Sequence, residues 1–319
     1  MLKIIKKIAI YSVLILLGLE LLVRFFHLHN ERPVRYLDTK EVEKWVPNQT
    51  GYSVTGNRRQ NVGAYRINDF GFNSVHKNFS TSKDSLEIAI VGDSFIEGFH
   101  EDVTNSLGQQ VEKKVAGSKV IELGYAGYDL ADQLHLISTY EDLFKEMDHT
   151  FIYLKYTDDL DRSSYEISSR LGLNTPISRI IKKIKFLVYF KDIGLLDPLT
   201  QLPKRILSTL KNKKIKTKTD QELRLLEQEK DVKRLDNFIS LIKLYPMDSH
   251  KSTFLLDKSL CSPMFLEYLD TNNFKVLDFG EVLDQSKEET TLIYDQHWSK
   301  HGRELMRNVL VNYINNLPK

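Results

Sequence analysis

The stretch LEIAIVGDS, residues 86–94, is a mostly apolar run that ends in a glycine, an aspartate and a serine. A short apolar run bounded by turn residues is typical of a strand buried on both faces of a sheet. Further strands are predicted at Lys119–Leu123, Phe151–Leu154, Thr253–Leu256 and Phe274–Leu277. Helices are predicted at Ser106–Val115, Leu130–Phe144 and Arg303–Ile314. Because strands alternate with helices, the pattern predicts an α/β domain with a parallel sheet covered on both faces.

The composition is that of a folded protein without disulfides. Of the 319 residues, 41% are hydrophobic and 28% are charged, which excludes collagen-like, mucin-like and wholly disordered chains. The formal net charge of +2 provides no overall field that would attract nucleic acid or an acidic partner. The single cysteine, Cys261, excludes an intramolecular disulfide and a cysteine-based zinc site.

Residues 1–26 are predicted to form a membrane anchor. Three lysines precede the apolar run Ile8–Val23, which continues to Phe26. At a rise of about 1.5 Å per residue, the run just spans a hydrocarbon core of about 30 Å. It ends in Arg24-Phe25-Phe26 rather than in the small residues of a cleavage site, which favours an uncleaved anchor over a signal peptide. The lysines favour a cytoplasmic N-terminus and an extracytoplasmic body; a buried hydrophobic helix is the alternative.

Two further regions follow the anchor. Residues 27–85 are polar and rich in turn residues, which predicts a stalk plus an accessory segment, with Ala64–Ile67 in a hairpin at the edge of the main domain. Residues 86–319 are predicted to form the main domain. A basic helical insertion at about 161–250 separates its third strand from the rest of the sheet.

The residues that can carry chemistry lie at both ends of the main domain. Ser94 follows the first strand beside Gly92, at the sheet edge where α/β proteins place their active sites. A serine needs a positioned base to become a nucleophile. Asp295 and His297 lie two residues apart near the C-terminus, so the carboxylate can hold one ring nitrogen while the other faces Ser94.

Taken together, Gly92-Asp93-Ser94 and Asp295-Gln296-His297 resemble the first and last sequence blocks of the SGNH/GDSL hydrolase superfamily. The resemblance covers about residues 86–315. It implies a flavodoxin-like three-layer α/β/α fold with a parallel sheet, and a serine esterase with a Ser94–His297–Asp295 triad that needs no cofactor or metal. The second block matches Glu122 to Tyr128 and implies that the Gly127 amide binds the oxyanion. The third block matches Tyr156 to Asp159.

One position departs from the family pattern. The family's asparagine, an oxyanion donor, is matched by Asp158. An ionised carboxylate only accepts hydrogen bonds and repels a developing negative charge. Two hypotheses follow: a working esterase with a weakened oxyanion hole, in which Asp158→Asn raises turnover, or a catalytically impaired protein that uses the same fold to bind or assemble glycans.

The anchor and one aromatic residue suggest a substrate class. Trp298 after His297 resembles the His-Trp pair of membrane-linked relatives that add or remove acetyl groups on surface polysaccharides; packing under the final helix is the alternative interpretation. An enzyme held at a membrane where glycans are assembled meets acyl-sugars there. We therefore expect hydrolysis or O-acyl transfer on acylated glycans. Transfer adds the expectation of a partner membrane protein that supplies the acyl group.

The insertion contains a basic segment, residues 179–218, with 12 Lys or Arg against two Asp. Ile184, Leu187 and Val188 recur among the lysines at helical spacing, which predicts an amphipathic lid or interfacial helix on anionic lipid or acidic polysaccharide. A solvated basic face is the alternative, and nucleic-acid binding is not expected because no motif accompanies the charge. His100, His135 and His301 have no partner in the sequence pattern and are expected to be structural or exposed. The acidic cluster Asp158, Asp159 and Asp161 is expected to cap turns rather than bind metal.

Overall fold

The computed structural model describes residues 2–56, 59–82, 84–173, 182–196, 220–293 and 295–317. Its strands are β1 (Arg35–Leu37), β2 (Glu43–Trp45), β3 (Thr50–Thr55), β4 (Asn61–Arg66), β5 (Leu86–Gly92), β6 (Ser118–Gly124), β7 (His149–Tyr153), β8 (Ser252–Leu256) and β9 (Val276–Asp278). Its α-helices are α1 (Leu2–Phe25), α2 (Ser94–Glu97), α3 (Leu107–Glu112), α4 (Leu130–Thr139), α5 (Glu141–Lys145), α6 (Lys185–Asp192), α7 (Asp220–Leu244), α8 (Pro263–Thr271), α9 (Gly280–Asp284) and α10 (Lys300–Asn315).

The main sheet has five parallel strands in the order β6-β5-β7-β8-β9. Numbered from β5, this is the order 2-1-3-4-5 of flavodoxin-like sheets, so the predicted fold class is confirmed. After β5 the chain adds β6 on one side, and it then crosses over to add β7 on the other side. The direction in which strands are added therefore reverses at β5. Ligands bind such sheets outside the carboxyl ends of the strands at this point. Ser94 follows β5 there.

Alternate residues of the strands pack into different layers. In β5, Ile88 and Ile90 contribute to one core cluster and Ala89 and Val91 to another. The first cluster packs against α3 and α10. A third cluster joins β7 and β8 to the other face, through buried residues of α4, α7 and α8. Both faces of the sheet are therefore covered, which explains why β5 carries consecutive apolar residues from Ile88 to Val91.

Residues of the 35–79 region pack onto the main domain as an accessory segment, and the division of residues 27–85 into a stalk and this segment stays a prediction. Trp45, Ile67 and Phe72 are buried against Ala89 and Ile121 of the main sheet, in one core cluster. The hairpin expected at the sheet edge forms differently, because β3 and β4 pair with each other and β1 pairs with β2 in separate two-stranded sheets. The segment covers one face of the sheet instead of extending its edge.

The observed helices differ from the predicted ones mainly at their ends. The predicted helix Leu130–Phe144 is divided into α4 and α5 at Tyr140, whose φ of −110° and ψ of 38° are not helical. The Tyr140 hydroxyl donates to the Asp38 carboxylate and accepts from Lys44, so a contact from the accessory segment accompanies the break. Helix α10 begins at Lys300 because the Ser299 side chain caps it.

The N-terminal helix is exposed and apolar, and it contacts the insertion. Lys3–Phe25 is long and apolar enough to cross a membrane, and Ile8, Val13 and Leu17 are more than half exposed. Of the basic segment 179–218, the structure describes residues 182–196, which include α6; the remainder lies outside the described residues. Helix α7 is exposed at residues 227–230 and enters the core at Phe238 and Leu241.

Candidate active site

The turn after β5 positions Ser94 at the start of a one-turn helix. Asp93 Oδ1 accepts a hydrogen bond from the Phe95 amide at 2.9 Å and caps α2. Asp93 is buried, and its other oxygen pairs with Lys155 Nζ at 2.7 Å. Burial alone would lower the pKa of Lys155, but Asp93 outweighs it and raises that pKa. This ion pair, in which Asp93 is buried and Lys155 is partly exposed, joins the turn that carries Ser94 to the end of β7.

The structure brings the three predicted triad residues together. Ser94 Oγ lies 2.7 Å from His297 Nε2. His297 Nδ1 is hydrogen bonded to Asp295 Oδ1. With the proton on Nδ1, the Nε2 atom is an acceptor that faces the serine hydroxyl, which is the arrangement a general base needs. The ring of His297 packs against Phe95, with 4.5 Å between ring centroids, so its plane is held from one side.

A second histidine, which the sequence pattern did not reveal, holds the other oxygen of the carboxylate. His100 Nε2 lies 2.7 Å from Asp295 Oδ2, and the two residues are 195 positions apart. The His100 ring also stacks on His297 at 4.1 Å with an interplanar angle of 22°. His297 is therefore enclosed between Phe95 and His100. The one sequence signal that could have pointed to His100 is its position shortly after α2, the helix that begins with Ser94.

The electrostatics of the group favour an ionised aspartate. Partial burial would raise the pKa of Asp295, but hydrogen bonds with His100 and His297 outweigh it and hold the pKa well below its usual range. Burial lowers the pKa of His100, which favours its neutral form, while Asp295 opposes that shift. Asp295 is thus a charged acceptor between two imidazoles.

Among the described residues, His100, Asp295 and His297 are also close enough to one another to hold a metal ion. The ligand atoms of His100, Asp295 and His297 lie within 4.8 Å of one another. Two imidazoles and one carboxylate match the ligand types of zinc. The same atoms are engaged in hydrogen bonds with each other and with Ser94. Their order, serine to imidazole to carboxylate, is that of a hydrogen-bonded triad to which His100 adds a second imidazole.

The backbone amides of Ser94 and Gly127 are the predicted donors to an oxyanion. Neither the Ser94 amide nor the Gly127 amide donates a hydrogen bond to any described residue. Gly127 has a φ of 91°, a conformation that favours glycine. A Cβ atom at Gly124 would lie 2.0 Å from the Glu97 amide, so this glycine allows the end of β6 to approach the nucleophile helix. The role of the Gly127 amide in binding an oxyanion stays a prediction.

The insertion supplies a positive charge beside Gly127. Arg170 Nη1 donates to the Ala126 carbonyl at 3.2 Å and occupies the place of a Gly127 side chain, 1.7 Å from an ideal Cβ atom. Arg162 fixes the start of the insertion, because its guanidinium pairs with Asp129 and Asp132 at the beginning of α4. Sequence spacing gave no indication of Arg170, which is 43 residues beyond Gly127.

The two remaining predicted residues have different surroundings. Asp158 is exposed in the loop after β7, and its amide donates to the Lys155 carbonyl. Its role as an oxyanion residue stays a prediction. Trp298 is 3% exposed and packs against Phe95, Tyr153 and Phe279 in the core. These contacts agree with the alternative interpretation, in which Trp298 is a packing residue.

A cavity of about 400 Å³ opens in front of Ser94. This volume is within the range of small-molecule sites. The main domain provides one wall, which includes Ser94, His100, Asp295 and His297. The other wall comes from the chain after α1, from the strands β1, β2 and β3, and from the end of α6: Leu28, Asn30, Arg32, Arg35, Trp45, Ser53, Val54, Thr55, Gly56, Tyr189, Asp192 and Ile193.

A buried carboxyl group lies at the junction of these walls. Glu97 Oε1 accepts hydrogen bonds from Trp45 Nε1 at 2.6 Å and from the Ala126 amide at 3.1 Å. Burial raises the pKa of Glu97 to about 8. At neutral pH it is therefore mainly protonated, and it joins the accessory segment to the nucleophile helix as a neutral group.

Comparison with known proteins finds similar solved structures only. No family model matches the chain. No curated protein matches it either. A crystal structure of a member of the lipolytic protein G-D-S-L family from Veillonella parvula is 13% identical, with a TM-score of 0.40, over 73% of this chain and 100% of that one. A lipase/acylhydrolase from Enterococcus faecalis is 15% identical, with a TM-score of 0.40, over 73% and 98%. A carbohydrate acetylesterase family member from Sinorhizobium meliloti is 11% identical, with a TM-score of 0.35, over 72% and 97%.

Proposed function

We propose that this protein is a serine-dependent ester hydrolase or O-acyltransferase that acts on acylated, most simply acetylated, cell-envelope glycans. One observation carries the proposal: Ser94 Oγ lies 2.7 Å from His297 Nε2, and the other nitrogen of His297 is bonded to Asp295. Nucleophile, base and orienting carboxylate within hydrogen-bond reach are the signature of an activated serine.

In the proposed mechanism, His297 Nε2 takes the proton of Ser94 as its oxygen attacks the ester carbonyl. Asp295 holds the Nδ1 proton and stabilises the imidazolium that forms. The amides of Ser94 and Gly127 bind the oxyanion. His297 then donates its proton to the leaving alcohol, which leaves an acyl group on Ser94. Water resolves this acyl-enzyme in hydrolysis, and a sugar hydroxyl resolves it in transfer.

His100 is a positioning residue in this mechanism. It occupies Asp295 Oδ2, so the carboxylate cannot rotate away from His297 without breaking a 2.7 Å hydrogen bond. Its ring also covers the face of His297 that Phe95 leaves open. A base held on both sides keeps its Nε2 atom directed at the serine.

The cavity supports a sugar-sized substrate. Arg32, Ser53 and Asp192 offer polar groups on the wall opposite Ser94, and Trp45 offers an aromatic side chain. Acetyl esters on a hydrophilic glycan need such mixed surroundings. We further propose that α1 crosses the membrane with its N-terminus in the cytoplasm, because Lys3, Lys6 and Lys7 precede the span. Transfer would require an acyl-donor membrane protein as partner.

A second candidate function is glycan binding or assembly without catalysis. Asp158 favours it, because a carboxylate replaces a donor amide at a position where the family's chemistry uses one. The two functions differ in whether Ser94 reacts.

The deciding experiment is fluorophosphonate labelling of the full chain in detergent, read by intact mass, with Ser94→Ala as control. The full chain is needed because residues next to α1 line the cavity. We expect one adduct that is absent in the control and unchanged after treatment with a metal chelator. Release of acetate from an O-acetylated oligosaccharide then tests the substrate class. A folded protein that takes no label would contradict the esterase and favour the binding function.

A further inference from the structure

Helix α6 of the insertion is fixed to the last turns of the anchor helix. Glu20 accepts hydrogen bonds from the Lys185 amide at 3.1 Å and the Phe186 amide at 2.9 Å, which are free amides at the start of α6. Arg24 Nη2 donates to the Lys183 carbonyl at 2.7 Å and pairs with Glu20. These contacts place the start of α6 at the level where α1 ends.

The residues of α6 do not form a buried core. Five of its eight residues, Phe186 to Phe190, are apolar or aromatic, and none of the eight is buried. Just outside the helix, Ile184 is 36% exposed and Leu195 is 56% exposed. Lysines precede and follow this apolar stretch. Aromatic and aliphatic side chains flanked by lysines are typical of a helix that lies in the headgroup region of a bilayer.

The same helix walls the cavity. Tyr189, Asp192 and Ile193 at its end line the space in front of Ser94. Asp192 Oδ2 also accepts from the Asn30 amide at 3.4 Å, which joins the helix end to the loop after α1. Part of the cavity lining therefore comes from the two segments that adjoin the anchor helix, the loop after α1 and the end of α6.

We propose that α6 lies in the membrane interface and that the cavity takes its ester from a lipid-anchored substrate, whose hydrocarbon chain stays in the bilayer while its acylated headgroup reaches Ser94. This inference rests on the proposed function for its chemistry, and on the continuity of α6 with the anchor for its location. Because α6 is both membrane-facing and cavity-lining, a headgroup at the bilayer surface enters without leaving the membrane.

The location is tested by lipid quenching. A bimane label is placed at Leu195→Cys in the full chain, with Cys261→Ser to remove the native thiol, and the protein is reconstituted in phosphatidylcholine–phosphatidylglycerol vesicles. The matched control is Leu244→Cys at the end of α7, where the leucine is 54% exposed. We expect spin-labelled lipid to quench the label at 195 and not at 244. Quenching at 195 by aqueous iodide alone would overturn the proposal.

The substrate class is tested with two acetate esters. The vesicles contain hexadecyl acetate, or receive ethyl acetate in solution, and acetate release is measured for Leu195→Asp and for the control Leu244→Asp. We expect Leu195→Asp to lower release from hexadecyl acetate by about tenfold and to leave ethyl acetate unchanged, because a charge at an interfacial position weakens membrane docking. Equal rates of the two variants on hexadecyl acetate would overturn the lipid-anchored substrate. Fluorophosphonate labelling of both variants keeps this result separate from a failure of the esterase itself.

Discussion

The two walls of the cavity are built in different ways. The catalytic wall stands on the end of a buried parallel strand and on the loop before α10, and its groups contact one another within 2.7 Å. The other wall combines the loop after α1, the strands β1 to β3 and the end of α6, which come from distant parts of the chain. The first wall is therefore fixed by the main core, and the second depends on how the accessory segment and the insertion pack against it.

This difference separates chemistry from recognition. The residues of the proposed triad lie next to the ends of a strand and a helix, so the distances between them are fixed once the sheet and its helices pack. Specificity comes from peripheral segments that can change without disturbing the core. If this is correct, substitutions in the wall that carries the proposed triad, the catalytic wall, lower the turnover of every ester. Substitutions in the other wall lower the turnover of only some esters.

The largest expected effect lies in the catalytic wall. Asp295→Asn replaces the acceptor of the His297 Nδ1 proton with an amide and favours the wrong tautomer, so we expect kcat to fall on the order of 10³–10⁴-fold. The measurement is turnover of 4-nitrophenyl acetate, and the loss should be as large for an acylated glycan. A loss below tenfold would show that the carboxylate does not orient His297.

A smaller effect is expected from the residue behind the carboxylate. His100→Ala removes one of the two hydrogen bonds that hold Asp295, and we expect kcat to fall by about tenfold with little change in KM. His100→Asn retains an N–H donor and should restore part of the loss. His135→Ala, whose ring stacks on Tyr165 instead, is the control. Equal loss in the alanine and asparagine variants would indicate a structural role only.

A smaller change in kcat is expected from the two charged residues near the proposed oxyanion site. Arg170→Gln removes a cation beside Gly127 and should lower kcat, while Asp158→Asn removes an anion and adds a donor and should raise it, each by about 3–10-fold. Asp270→Asn on the exposed face of α8 is the control. The two effects should shrink in high salt, since both groups are exposed. Changes of the same sign would contradict an electrostatic contribution.

The smallest expected effect concerns the thermal stability contributed by Glu97, which lies where the two walls of the cavity meet. The pKa of Glu97 rises from an ordinary 4.5 to about 8, so the folded state binds a proton that the unfolded state has lost between these pH values. Stability from this group is therefore full below pH 4.5 and decreases as the pH rises to about 8. Glu97→Gln should flatten this decrease and raise the Tm at alkaline pH by about 2–4 °C. A Tm that depends on pH equally in both proteins would contradict the assignment.

The sequence predicted what depends on local pattern. Buried parallel strands are rich in apolar residues, so the boundaries of β5 and β6 were predicted within one residue at each end. The approach of Ser94 to His297 followed from motifs at the ends of the domain. The packing of the accessory segment was missed, because Trp45, Ile67 and Phe72 are spaced too irregularly for helix or strand periodicity. His100 and Arg170 were missed because their partners are set by tertiary contact rather than by spacing.

The position of the two tryptophans gives the protein its own optical probes. Trp45 and Trp298 are the only tryptophans in the chain. Trp45 lines the cavity with its indole N–H on Glu97, and Trp298 lies behind Phe95 in the core. Ionisation of Glu97 or occupation of the cavity changes the field at Trp45 while Trp298 remains shielded. Intrinsic fluorescence, with each tryptophan replaced in turn by phenylalanine, therefore reports filling of the site without any chromogenic ester.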